Sequence, residues 1–151
     1  MSTVNRVRDV HPGWVLVALD ILGLAIAGYL AAVELGGGVP YCGALHGCDT
    51  VAQSEYSRIA GIPVAVYGVV LTLLTLGLAL AWIRTANPRL LDAVYGLSLV
   101  SVIFEAYFLF LQLFVIHAVC IWCTAYGLTV VARLAVAWAL RRRQGSAASR
   151  R

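Results

Sequence analysis

LLDAVYGLSLVSVIFEAYFLFLQLFVIHAVCIWCTAYGLTVVARLAVAWAL, residues 90–140, decides the fold. It contains no proline, and its only full charges are Asp92, Glu105 and Arg133. As a single helix its 51 residues would reach about 76 Å at 1.5 Å per residue, against an apolar bilayer core of about 30 Å. The stretch must therefore fold back on itself as two spans. Arg84 and Arg89 precede it, and Arg141, Arg142 and Arg143 follow it. A bend across residues 113–118, where His117 is the polar residue, divides it evenly. Cys120 and Cys123 then begin the second arm, at the end away from the arginines.

Upstream, an apolar run over 13–35 stops at Gly36-Gly37-Gly38 and Pro40, which cannot continue a helix. Residues 36–61 are polar and hold Cys42, His46, Cys48, Asp49, Glu55 and Arg58. A further span starts at Ile62-Pro63, with proline in the first turn where its missing N–H costs nothing. The expected architecture is all-α: a transmembrane four-helix bundle with spans at about 13–35, 62–83, 90–113 and 118–140. Residues 1–143 form one domain, and the small, polar tail 144–151 is expected to be disordered. Arg6 and Arg8 before an apolar run resemble a signal peptide, but that run is too long and lacks a small-residue cleavage site. It reads as a retained helix.

Composition agrees. The chain is 62% hydrophobic and 12% charged, against roughly half and a quarter in soluble domains. Its positive charge, +4 and all arginine, flanks the apolar runs, which points to membrane orientation and away from nucleic acid. Arg6, Arg8, Arg84, Arg89, Arg141, Arg142, Arg143, Arg150 and Arg151 fall on one side and Arg58 on the other. The positive-inside bias therefore predicts an inner or plasma membrane protein with both termini cytoplasmic. All four cysteines then face the periplasm or cell exterior, a compartment that permits disulfides.

Two cysteine pairs on one face can pass two electrons onward by disulfide exchange. Cys120 and Cys123, three apart, share a helix face at a helix start, where free N–H groups and the helix dipole favour a thiolate. The bland alternative is a buried, inert pair, and the second pair weighs against it. Cys42 and Cys48 flank Gly43-Ala44-Leu45-His46-Gly47, small enough to close a disulfide and to open it. A static bridge there would leave the CxxC unexplained. Zinc would need a rigid polar cage, which a pair at the start of a membrane helix does not supply, so no metal is expected.

Glu105 falls in the outer half of its span, below the CxxC, where it lines a pocket or bonds to a neighbouring helix. Asp20, nearer the arginine side, reads as structural, and Arg133 could snorkel inward. Trp122, Tyr126, Tyr107 and Phe108 are candidates to floor a flat ring, with packing as the plainer reading.

With these residues in place, the chain resembles bacterial homologues of vitamin K epoxide reductase over nearly its whole length. The resemblance rests on Cys42-x5-Cys48, Asp49-Thr50-Val51, Ser54, Tyr56-Ser57, Gly61-Ile62-Pro63-Val64 and Tyr67-Gly68. A second block runs Gln112-Leu113-Phe114-Val115-Ile116 to Cys120-Ile121-Trp122-Cys123. It implies a bundle around a quinone of the menaquinone, ubiquinone or vitamin K type, an outward-facing active-site loop and a short covering helix. It further implies that Cys123 contacts the quinone, that Cys120 is its disulfide partner, that Cys48 shuttles to Cys120, and that Cys42 meets a partner protein. Ser54, in the covering helix, resembles a polar residue beside the quinone. Tyr126 resembles a pocket tyrosine, though it stands three residues after Cys123 where the family has four. The pocket asparagine of the animal enzymes has no counterpart.

The resemblance thus implies a quinone-linked thiol–disulfide oxidoreductase that reoxidises a thioredoxin-fold, DsbA-like partner outside the cytoplasm. Some relatives carry a fused thioredoxin-like domain. This chain ends about ten residues after its fourth span, so a separate partner is expected. The rivals are a DsbB-type oxidase, whose CxxC precedes its spaced pair in the opposite order, and a small transporter or assembly protein with incidental cysteines.

Overall fold

The computed structural model describes residues 3–43 and 47–149, with side chains over 12–43 and 47–146. The loop positions Ala44, Leu45 and His46, and the terminal Arg150 and Arg151, lie outside the described residues. Four long helices, α1 (Thr3–Leu35), α3 (Val64–Thr85), α4 (Pro88–Phe110) and α5 (Ile121–Ser149), form the bundle, and α2 (Gly47–Ala52) is a short helix in the first connection. The bundle closes as a ring in which α1 packs on α3 and α5, and α4 packs on α5 and α3. Each carries a stretch long and apolar enough to cross a membrane: Pro12–Leu35, Val64–Thr85, Pro88–Ile116 and Ile121–Ser146. Their outer faces expose Ile21, Leu22, Leu73, Leu74, Ile103, Leu128 and Val131, the pattern of a bundle solvated by lipid. The chain is a multi-pass membrane protein.

Two helix boundaries differ from the sequence reading for local reasons. Ile62-Pro63 does not open α3. Those residues form β2 (Ile62–Pro63), which pairs antiparallel with β1 (Arg58–Ile59). The turn between them, Ala60-Gly61, has positive φ at both residues (53° and 79°), as two-residue hairpins favour. Conversely, Asn87-Pro88 does not merely end a span. Asn87 caps α4, its side chain accepting the Arg89 N–H at 3.1 Å, and Pro88 occupies the first turn. At the other end, α5 continues past Arg143 to Ser149.

The expected bend between the last two spans has a specific form. α4 widens into a π-helical segment (Leu111–Ile116), and His117 then adopts the left-handed conformation, φ 55°. π-helical turns recur where a helix carries a functional side chain. Gln112 lies buried in this widened turn.

Along its axis the bundle is layered. At the arginine end Leu16, Val17, Ala79, Trp82, Leu91, Val94, Ala137 and Leu140 make an apolar plug drawn from all four long helices. Above it lies a polar layer. Arg133 Nη1 bonds Asp20 Oδ1 at 2.7 Å and Thr75 Oγ1 at 2.9 Å, while its Nε donates to Ser98 Oγ at 3.1 Å. Each long helix contributes one of these residues, and all four are buried. Arg133 therefore does not snorkel. An ion pair is available inside the bundle, and pairing relieves the cost of an isolated charge in lipid. The signal was present in the sequence: Asp20 lies seven residues after Gly13 and Arg133 seven before Leu140, so antiparallel helices bring them to one depth. Beyond this layer come a cavity and then the cysteines.

Candidate functional site

Three short pieces cap the bundle at the end opposite the apolar plug: α2, a 3-10 turn (Glu55–Ser57) and the β1–β2 hairpin. Arg58 ties the hairpin to α1 by bonding the Glu34 carbonyl at 3.4 Å, and Tyr67 Oη donates to the Ile59 carbonyl at 3.1 Å. α2 is set directly on the start of α5. A Cβ built on Gly47 would fall into the Val119 carbonyl oxygen. Only glycine permits this approach, which seats the following residue, Cys48, against the CxxC. Of the small residues between Cys42 and Cys48, Gly47 is thus one whose need is steric.

The four cysteines converge. Cys42 and Cys48 are disulfide-bonded, with Cα atoms 5.8 Å apart. Cys42, Cys48 and Cys120 form one buried cluster, against which Val51, Trp122 and Cys123 pack. Cys120 and Cys123 are free thiols, and Cys123 Sγ donates to Cys120 Sγ at 2.7 Å. Cys120 precedes the first residue of α5 and caps it, accepting the Cys123 backbone N–H at 3.3 Å. In this turn between spans, the Cys123 thiol hydrogen bond, helped by backbone N–H groups of Cys123 and Trp122, holds the Cys120 thiol below its ordinary value despite burial. Gln112 completes the turn. Its Oε1 accepts the Cys120 N–H at 2.8 Å and its carbonyl accepts the Ala118 N–H at 3.0 Å. Gln112 stands in the second block of the resemblance, which implies no role for it. A lone glutamine five residues before a helix break was the only sign.

Cys123 opens on a cavity between the cap and the polar layer. Ser54, Glu105 and Tyr126 line it too. Its remaining wall is largely apolar or aromatic, including Leu30, Val64, Leu71, Phe104 and Phe108. Of the aromatics considered from sequence, Tyr126 and Phe108 reach this wall, whereas Trp122 and Tyr107 do not line it.

Two of the polar side chains on the wall, Tyr126 and Ser54, are held by hydrogen bonds. Tyr126 Oη donates to the Gly68 carbonyl at 3.2 Å and lies 3.0 Å from Thr72 Oγ1. Ser54 lies not within a covering helix but between α2 and the 3-10 turn, and its hydroxyl donates to the Val51 carbonyl at 2.7 Å. Glu105 is half-buried on α4 and presses on α5 at Gly127, where a Cβ would come within 2.8 Å of Glu105 Cγ and Oε1.

Chemically, the site offers a disulfide touching a dithiol, and a dithiol whose second sulfur faces a largely apolar cavity. Residues 14–138 match the model of the vitamin K epoxide reductase family. The chain belongs to this family. Membership in the vitamin K epoxide reductase family implies an oxidoreductase, and the family's quinone-linked thiol–disulfide chemistry accords with the cysteine arrangement. The match runs from within the first span, through the cap, into the fourth.

Proposed function

We propose that this protein reoxidises a dithiol partner outside the cytoplasm and delivers the electrons to a membrane quinone. The observation that carries the reading is the convergence of both cysteine pairs at one end of the bundle, with Cys123 on the cavity wall. The balance is one dithiol plus one quinone giving one disulfide plus one quinol. All the electrons and protons come from the two thiols.

A partner thiolate attacks Cys42 and displaces Cys48; the partner's second thiol then attacks the partner's first sulfur, which closes the partner's disulfide and frees Cys42 as a thiolate. Cys48 attacks Cys120 in a Cys120–Cys123 disulfide and releases Cys123. Cys42 then attacks Cys48, restoring the loop disulfide and leaving Cys120 and Cys123 as thiols. The described arrangement, loop pair bonded and CxxC reduced, corresponds to this last state.

The cavity fits a flat, largely apolar ring with few polar positions on its edge, and a bound quinone of the menaquinone, ubiquinone or vitamin K type would supply a two-electron acceptor there. Cys123 offers its sulfur to that space. Cys120, its thiol drawn down at the helix cap, supplies the thiolate that closes the bond to Cys123 as the electrons leave. Ser54, Tyr126 and Glu105 orient the ring, and the Phe104 and Phe108 side chains exclude water beside it.

The arginine distribution supports cytoplasmic termini, with the cap facing the periplasm or cell exterior in an inner or plasma membrane. We assign 1–143 to the functional domain and a thioredoxin-fold protein as the partner.

Gel-shift alkylation of membranes tests the reading. Added quinone should convert reduced Cys120 and Cys123 to a protected pair, and all-serine protein should show no change. The relay order is read from Cys42→Ala, which lacks the resolving thiol. Non-reducing peptide mapping should recover Cys48 joined to Cys120 with Cys123 free. Recovery of an intact Cys120–Cys123 bond beside a free Cys48 would overturn that order.

A further inference from the structure

Neither half of the loop disulfide is open to a protein thiol as the molecule stands: Cys42 is 8% exposed and Cys48 fully buried. The residue before Cys42 behaves differently. The Tyr41 side chain is 79% exposed, yet its backbone is gripped on both sides. Its N–H donates to Tyr29 Oη on α1 at 3.2 Å, and its carbonyl accepts the Trp122 indole N–H at 2.9 Å. The two gripping rings pack on each other with centroids 5.0 Å apart. Trp122 stands inside the CxxC itself. The redox pair that receives electrons therefore carries the side chain that grips the segment bearing the pair that supplies them.

We infer that Tyr29 and Trp122 form a latch that holds the Cys42–Cys48 disulfide closed over Cys120, and that must release Tyr41 before an outside thiol can reach Cys42. This rests on the relay reading above and adds two positioning residues to it. With the latch closed, Cys48 is seated against Cys120 and internal exchange is favoured. With the latch open, Cys42 is presented and attack from outside is favoured. In that attack the incoming thiolate forms a bond to Cys42 Sγ, the Cys42–Cys48 bond breaks, and Cys48 leaves as a thiolate. Trp122 and Tyr29 thus act in opposite senses on the two exchanges, a property that simple support of the fold would not produce.

The test uses full-length protein in lipid nanodiscs, with dithiothreitol as the probe. Trp122→Phe keeps a ring and removes the indole N–H, and Tyr29→Phe keeps a ring and removes the hydroxyl. Each should speed dithiothreitol reduction of Cys42–Cys48 by about fivefold, the population change expected from losing one hydrogen bond. Placed in the Cys42→Ala background, each should slow formation of the Cys48–Cys120 bond by a similar factor. Reduction at the wild-type rate, or both exchanges changing in the same direction, would overturn the latch. The relay reading fails separately, if wild-type membranes show no quinone-dependent oxidation of Cys120 and Cys123. The dithiothreitol comparison needs no quinone and stands apart from that outcome.

Discussion

The two polar regions inside this bundle are built in opposite ways. The Asp20–Arg133 layer takes one side chain from each long helix and fixes them by direct side-chain bonds between regular helices. The cysteine end takes a loop, a six-residue helix, a π-helical turn and a helix cap, and fixes them largely through backbone groups: the Gly47–Val119 approach, the Gln112–Cys120 bond and the two bonds to Tyr41. The first is a frame whose members have one arrangement. The second is a set of short pieces that meet largely at backbone groups, an arrangement suited to the proposed disulfide exchange, in which each step moves a sulfur from one partner to another. Stability should therefore be concentrated in the first region and reactivity in the second.

The largest effect belongs to the second region. Cys123→Ala should bring quinone-dependent thiol oxidation to background while leaving Cys42–Cys48 able to form, since the loop pair is a separate exchange unit. Quinol formation measured beside a thiol gel shift checks both halves. Normal turnover in this variant would remove Cys123 from the electron exit.

The frame should respond in stability. Asp20→Leu strands the Arg133 guanidinium among buried groups, and breaking such a pair typically costs about 3–5 kcal/mol. The double variant Asp20→Leu with Arg133→Met removes both charges and should recover most of that loss, as buried pairs replaced by apolar residues often do. Unfolding in mixed micelles would measure the series. If the double variant were as unstable as the single one, the layer would owe its stability to the remaining bonds of Thr75 and Ser98.

The frame and the cap were also unequally legible in the sequence. Four long helices followed from apolar length alone, because lipid demands that every span satisfy its own backbone. The cysteine pairs were visible as residue types, and the resemblance ordered them. Ser54, Glu105 and Tyr126 were singled out and share one cavity wall. What escaped was pairing across helices. Arg133 reads alone as a snorkelling cation, and Trp122 reads alone as interfacial packing. Their partners, Asp20 and the Tyr41 carbonyl, lie 113 and 81 residues away. Counting from the span ends puts Asp20 and Arg133 at one depth but does not say that they face each other, and backbone acceptors leave no mark in side-chain sequence at all. Gly47 escaped for a related reason, since a glycine needed for close approach looks the same as one needed for a turn.

Gly47→Ala separates the two kinds of glycine. A methyl group there meets the Val119 carbonyl, so α2 must back away from the start of α5 and carry Cys48 with it. The bundle is untouched, and unfolding should be unchanged. Exchange between Cys48 and Cys120 should slow by about tenfold, which corresponds to about 1.4 kcal/mol. Stopped-flow quench of the Cys42→Ala background, with and without Gly47→Ala, would read the step directly. An unchanged rate would mean that the loop conformation, not this contact, sets the sulfur approach.

The smallest expected effect is at Glu105. The carboxyl lies on the cavity wall with Cys123 and Tyr126, and its stem is pressed onto Gly127. Two roles are open to such a group: shaping the pocket edge through packing and hydrogen bonding, or handling a proton. Glu105→Gln keeps the shape and a hydrogen-bonding carbonyl and removes only the ionisable proton. The thiols already bring both protons that the quinol needs, so no acid is required to balance the reaction. Glu105→Gln should accordingly raise the quinone KM by less than about threefold and leave kcat near wild type, because a neutral hydrogen bond contributes only about 1 kcal/mol. Glu105→Ala should do more, by emptying the contact with Gly127. Steady-state kinetics across pH would decide between the roles. A fall in kcat of more than about tenfold in Glu105→Gln, at every pH, is too large for one hydrogen bond and would make the carboxyl a proton-transfer group.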